Sequence, residues 1–159
     1  MHINDRNPLQ RTMTRETSDS LDLSTCAHAN LRKAMRAVSQ SYDAVLKPAG
    51  LRATQFTLLA VLERHDELPL TKLADILVMD RTTLTRNLKP LAAQGWLEIG
   101  RDRDERVRLV AITDSGRQVL VNAIPLWQVA QGRIIDGIGK KRLEGMVKDL
   151  NCLVETVHE

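Results

Sequence analysis

Apolar and polar positions along the chain fall first into a helical rhythm. From Ser24 to Lys47, Leu31, Ala34, Met35, Val38, Tyr42, Val45 and Leu46 recur at three- and four-residue spacing. Ser24 or Thr25 can cap this helix, and Pro48 and Gly50 stop it. A second helix, capped by Thr54, runs through Phe56, Leu59, Ala60 and Leu62 to His65. Residues 66–69 are expected as loop. Thr71 is expected to cap a third helix carrying Leu73, Ala74, Ile76 and Leu77, after which Val78 and Met79 turn the chain. Asp80 suits the cap of a fourth helix, Arg81 to about Gln94, because its carboxylate accepts the free N–H groups of a first turn. Leu84, Leu88 and Leu91 form the buried side of that helix, and Gly95 ends it.

The period then changes. Residues 96–99 and 107–112 are predicted as paired strands. Between them Gly100 to Arg106 form a tip with three Arg, two Asp and one Glu. Thr113 caps a long fifth helix with Val119, Leu120, Ala123, Ile124, Trp127, Ala130 and Ile134, and Pro125 inside it is expected to bend it. Gly137–Ile138–Gly139 breaks the pattern. A last helix from Lys140 to about Val157 carries an apolar stripe at Leu143, Met146, Val147, Leu150, Leu153, Val154 and Val157. The order is helix, turn, helix, wing. The fold class is therefore mainly α with a small β-hairpin wing, a winged helix-turn-helix flanked by N- and C-terminal dimerisation helices.

Residues 1–22 are polar and aperiodic and read as a flexible arm, with 23–159 as a single domain. The winged core spans about 54–113, and the dimerisation helices about 24–47 and 114–157. The fifth and sixth helices extend beyond the winged unit, which cannot cover them, so their apolar faces point to a homodimer.

Composition narrows the partners. Aromatics are only 3% of the 159 residues, which disfavours single-strand or RNA binding by base stacking. No apolar run is long enough for a membrane span, and the N-terminus lacks the apolar segment of a secretory signal, so a cytoplasmic protein is expected. Cys26 and Cys152 do not make a disulfide framework, and no His or Cys pair has metal-ligand spacing. No phosphate cradle and no nucleophile–base motif is present, so neither a cofactor nor an enzymatic activity is expected. Net charge is +3, but seven basic residues stand against four acids between Arg81 and Arg108, a local excess equal to that of the whole chain. Positive potential concentrated in this way suits a duplex.

The fourth helix can be an ordinary solvated surface helix, and the tip a self-paired turn. Together, at this spacing, they point to DNA. Thr82, Arg86 and Lys89 lie nearly opposite the leucines, with Thr83 and Thr85 on the flanks. Short hydroxyls let a helix sit deep in a major groove, and Arg can bond a guanine edge bidentately. In the wing, an Asp beside an Arg can aim the guanidinium, and a narrow minor groove attracts it. The expected DNA-binding set is Thr71, Arg81, Thr82, Thr83, Thr85, Arg86, Lys89, Arg101, Arg103, Asp104, Arg106 and Arg108.

The stretch DRTTLTRNLKPLAAQGWLEIGRDRDERVRLVAITDSG resembles the core of the MarR family of bacterial transcription regulators. Asp80, Thr82, Thr83, Thr85, Arg86, Leu91, Gly95 and Trp96 carry the likeness. The Asp104-x-Arg106 element of the wing follows, then Leu109, Thr113 and Gly116. The likeness covers roughly residues 25–157. One departure is the wing tip, where family members often carry a Pro or an extra residue before Asp-x-Arg and this chain has Arg103. The resemblance implies a homodimer on a palindromic double-stranded operator, acting as a repressor with a small-molecule or oxidant input.

For a small-molecule effector, His28, Arg32 and Trp127 could line a cavity between the first, second and fifth helices, suited to an anionic aromatic compound. Two alternatives stay open. Cys26 at a helix N-terminus, with Cys152, could make the chain a thiol-based redox sensor, although one family branch that does this also uses tyrosines and this chain has only Tyr42. A winged-helix protein-interaction module without DNA readout is the other.

Overall fold

A computed structural model of the chain describes residues 23–101 and 107–158. Its described backbone divides into two compact units, with the boundary between Ser39 and Gln40. The expected arm at 1–22 lies outside the described residues.

In the first unit, helix α1 (Ala27–Leu46) begins directly after Cys26. Asn30 opens it, its side-chain amide donating to the carbonyls of Ser24 (2.8 Å) and Cys26 (2.9 Å). Of the whole helix, only Leu46 is buried. Leu31, Met35 and Val38 are exposed, so the apolar rhythm seen in the sequence has no partner within this unit.

The second unit opens with the end of α1 and a 3-10 turn, Lys47–Ala49, closed by Gly50 at φ +71. There follow α2 (Ala53–Glu63), β1 (Glu67–Pro69), α3 (Leu70–Ile76), α4 (Arg81–Ala93), β2 (Leu97–Arg101), β3 (Arg108–Ile112), α5 (Asp114–Ile138) and α6 (Lys140–Val157). The strands form an antiparallel sheet in the order β1-β3-β2. Leu68 pairs with Val110, and Leu97 with Ile112, so the apolar side of the sheet faces the helices. The core joins Leu58, Leu59 and Leu62 of α2 to Leu73 of α3, Leu84, Leu88 and Leu91 of α4, and Val110, all fully buried. Burying a side chain of this size contributes roughly 1.5–3 kcal/mol, so these leucines dominate the stability of the winged unit.

Three local expectations are corrected. Residues 66–69 are not all loop: Glu67–Pro69 is a strand, created by pairing with β3. Thr54 does not cap α2. The first N–H groups are met instead by Asp43, whose Oδ1 accepts from Ala53 N at 2.7 Å, and by Gln55, which accepts from Arg52 N at 2.9 Å. Thr71 does not cap α3 either. Pro69 holds the cap position and Thr71 sits inside the first turn. Pro125 lies within α5, which is continuous from Asp114 to Ile138.

Two junctions fix the winged unit to α5. Arg117, near the start of α5, pairs with Glu63 at the end of α2 and with Asp66 (3.0 Å), which sits at φ +55. Thr113 caps α5, accepting from Gly116 N at 3.1 Å, while its hydroxyl and that of Ser115 both reach Gly95 O (2.6 and 2.7 Å).

Candidate nucleic-acid interface

The interface is built on α3, the turn and α4. The turn is tight because Val78 takes φ +52, a left-handed conformation that costs a β-branched residue roughly 1–2 kcal/mol. Met79 N donates back to Ala74 O at 2.9 Å, and Asn87 Nδ2 to Met79 Sδ at 3.8 Å, which hold α4 against α3.

Asp80 starts α4 as expected. Its Oδ1 accepts from Thr83 N (2.8 Å) and its Oδ2 from the Thr83 hydroxyl (2.6 Å). The Thr83 hydroxyl, then its N–H, hold the Asp80 carboxyl below the usual carboxylate range. Thr83 is half-buried and its hydroxyl proton is committed to this cap.

Burial of Leu84, Leu88 and Leu91 sets the rotation of α4. At about 100° per residue, Thr82 and Arg86 fall on the pole opposite the core. Both are exposed. Arg81, Thr85 and Lys89 form a second exposed stripe beside them. The Thr85 hydroxyl donates to Arg81 O at 2.7 Å, so toward solvent it offers a methyl and an acceptor. Pro90, in the last turn of α4, withdraws one N–H from the helix ladder.

An open groove of about 520 Å³ runs beside the second stripe, lined by Leu70, Thr71, Arg81, Thr85, Val107 and Arg108. Four expected DNA-binding residues from α3, α4 and β3 thus share one concavity. Release from capping leaves the Thr71 side chain exposed on its wall. At the root of the wing Arg101 and Arg108 are direct cross-strand partners, and both are exposed. Arg103, Asp104 and Arg106 lie outside the described residues. The sequence singled out the arginines but not this arrangement, because a cross-strand register has no local signature.

His28 and Arg32 are exposed on α1 in the first unit. Trp127, in the second, is half-buried and stacks on Phe56 with ring centroids 5.9 Å apart. Cys26 is half-buried and Cys152 exposed, both as free thiols. Tyr42 donates its hydroxyl to Gln131 Oε1, and burial pushes its phenol up from the ordinary value. Among the described residues no cluster of His, Cys, Asp and Glu could hold a metal ion, and no helix is long and apolar enough to cross a membrane.

The MarR family model matches residues 49–106, from the last residue of the 3-10 turn through β2, and stops short of β3. Over most of its length the chain is similar to the transcriptional regulator MosR of M. tuberculosis in its complex with DNA. Identity is 33%, the TM-score is 0.74, and the match spans 82% of this chain and 97% of that one. The chain belongs to the MarR family. It is a transcriptional regulator with a winged helix-turn-helix and not an enzyme. It is also 28% identical to the organic hydroperoxide resistance transcriptional regulator of Bacillus subtilis (strain 168), over 78% of this chain and 84% of that protein. The PcaV transcriptional regulator of Streptomyces coelicolor, solved with its natural ligand, shares the fold. Its TM-score is 0.75 at 19% identity, with 87% of this chain and 98% of that one covered.

Proposed function

We propose that this MarR-family regulator reads a palindromic double-stranded operator as a homodimer, and that it is a repressor released by a small anionic aromatic effector. The observation that carries the DNA reading is the outer pole of α4. It presents Thr82 and Arg86 to solvent on a helix whose opposite face is locked into the core by three fully buried leucines. Thr71, Arg81, Thr83, Thr85, Lys89, Arg101, Arg103, Asp104, Arg106 and Arg108 complete the set of proposed DNA contacts.

Support for the homodimer comes from α6. Its 18 residues include none that is buried, and Met146, Val147, Leu150, Val154 and Val157 are all exposed. An amphipathic helix of this kind gains its stability from packing its apolar face, and a second copy supplies the matching face. Two-fold symmetry then sets two recognition helices about 34–36 Å apart.

The test uses a duplex recovered from the DNA this regulator occupies in its own genome. Wild type is expected to bind it as two chains per duplex, with an affinity that falls steeply as salt rises. A chain ending at Gly139 is expected to aggregate or unfold. A soluble, monomeric truncation that still bound the operator tightly would overturn the assembly.

For the input, a coupling of about 1–3 kcal/mol between effector and operator suffices for release. Supporting this reading, a regulator of the same fold has been solved with its natural ligand. The expected result is that an aromatic carboxylate lowers operator affinity, whereas peroxide acts equally on wild type and Cys26→Ser. Release of wild type but not Cys26→Ser by peroxide would move the sensor to the thiol.

A further inference from the structure

Three cations near the wing occupy positions that the free protein does not favour. Arg101 and Arg108 are directly opposite in the β2–β3 register. Residues so paired project from the same face of a ladder, and like charges there oppose one another. Arg108 is two residues from Val110 and four from Ile112, so this face continues the core-facing side of the sheet toward α4. Arg81 is the first residue of α4, at the end of the helix dipole that disfavours a positive charge. Among the described residues, ion pairs are made by Arg117 alone, so none of these three is neutralised there. Arg81 and Arg108 nevertheless line the same open groove, with the exposed side chain of Thr71 on its wall.

We propose that this groove between α4 and the root of the wing is the seat of one DNA backbone phosphate, and that the bound phosphate offsets the opposition between Arg101 and Arg108 and so braces the wing. The inference rests on the proposed duplex reading and adds a place and a consequence to it. Guanidinium groups suit a phosphate because their N–H groups form a planar fork matched to its oxygens. Thr71 can donate a third bond. Thr85 cannot do so without giving up its bond to Arg81 O, so it forms wall rather than ligand. The seat carries no base information, since phosphate contacts position the protein and base edges specify the sequence. The division on α4 is then spatial: Thr82 and Arg86 for bases, and the Arg81 stripe for backbone.

The decisive experiment compares wild type with Arg81→Gln, Arg101→Gln, Arg108→Gln and Arg108→Lys on the operator and on a random-sequence duplex of equal length, across about 50–200 mM salt. Each Gln variant is expected to bind both duplexes more weakly by a similar factor, and to flatten the log–log salt slope by roughly 0.9. Arg108→Lys keeps the charge and should keep the slope. In the free protein, Arg108→Gln should slow hydrogen exchange at the amides of residues 97–101 and 108–112, because the opposition is gone. In wild type, DNA should slow the same amides. Three results would overturn the seat: a salt slope unchanged in the Gln variants, a loss confined to the operator, or faster exchange in free Arg108→Gln. If wild type bound neither duplex, the DNA reading itself would fall, and the seat with it.

Discussion

Gly116→Ala is expected to destabilise this protein more than any other single methyl addition. Gly116 is the third residue of α5, where the helix meets the turn between α4 and β2. A Cβ there would lie 2.0 Å from Trp96 O and 2.9 Å from both Trp96 C and Ile112 Cγ1. The nearest atom belongs to backbone and cannot rotate away. Trp96 O is itself held, accepting from Thr113 N at 3.2 Å, and Gly95 O next to it accepts two hydroxyls. Relief therefore requires α5 to lift off the winged unit as a body. Overpacking typically costs about 1–3 kcal/mol, and a clash of backbone with Cβ belongs at or beyond the upper end. For a chain of this size, 3 kcal/mol lowers the melting temperature by roughly 6–12 °C. Thermal unfolding checks it, and a variant melting within about 2 °C of wild type would show that the junction yields where we hold it rigid. Operator binding should weaken in parallel, since the same junction sets α4 and the wing against α5.

The second large effect is expected at Arg86. Arg86→Ala should cost about 1–3 kcal/mol on the operator, roughly 5- to 150-fold, while affinity for random duplex changes little. Arg86 stands on the outer pole of α4, exposed, with no ion pair among the described residues. Its backbone position is fixed by Leu84 and Leu88, both fully buried. Its side chain is thus presented by a rigid helix, as bidentate reading of a guanine edge requires. Arg86→Lys should retain most non-specific affinity but lose selectivity, because a point charge lacks the planar fork. Binding of operator and random duplexes, measured at one fixed salt, decides the matter. Equal losses on both would reassign Arg86 to the backbone.

Much of the architecture was legible residue by residue. The leucine spacing of α4 set its buried side, Asp80 and Gly95 set its ends, and Asp80 and Thr113 cap helices at the positions expected. The outer face of α4 was legible for the same reason: once Leu84, Leu88 and Leu91 are inside, helical geometry leaves Thr82 and Arg86 outside. The exposed stripe of α6 was equally plain, because 3.6-residue periodicity appears in the order of residues whether or not a partner covers it.

What the order of residues could not supply depends on segments far apart in the chain. Glu67–Pro69 is too short to show a two-residue alternation, and it becomes a strand because β3 offers it backbone partners at Leu109, Val110 and Ala111. Thr54 and Thr71 look like caps, yet Asp43 reaches the start of α2 from ten residues upstream and Pro69 occupies the start of α3. The opposition of Arg101 and Arg108 follows from strand register, and the groove that Arg108 lines draws residues from 70 to 108 into one place. Periodicity and capping are properties of neighbours three or four residues apart, so the sequence alone determined the helices, the face of α4 and the likeness to a DNA-binding fold. Register, close backbone approach and the meeting of distant cations are set when the core closes, and only the tertiary structure decided those.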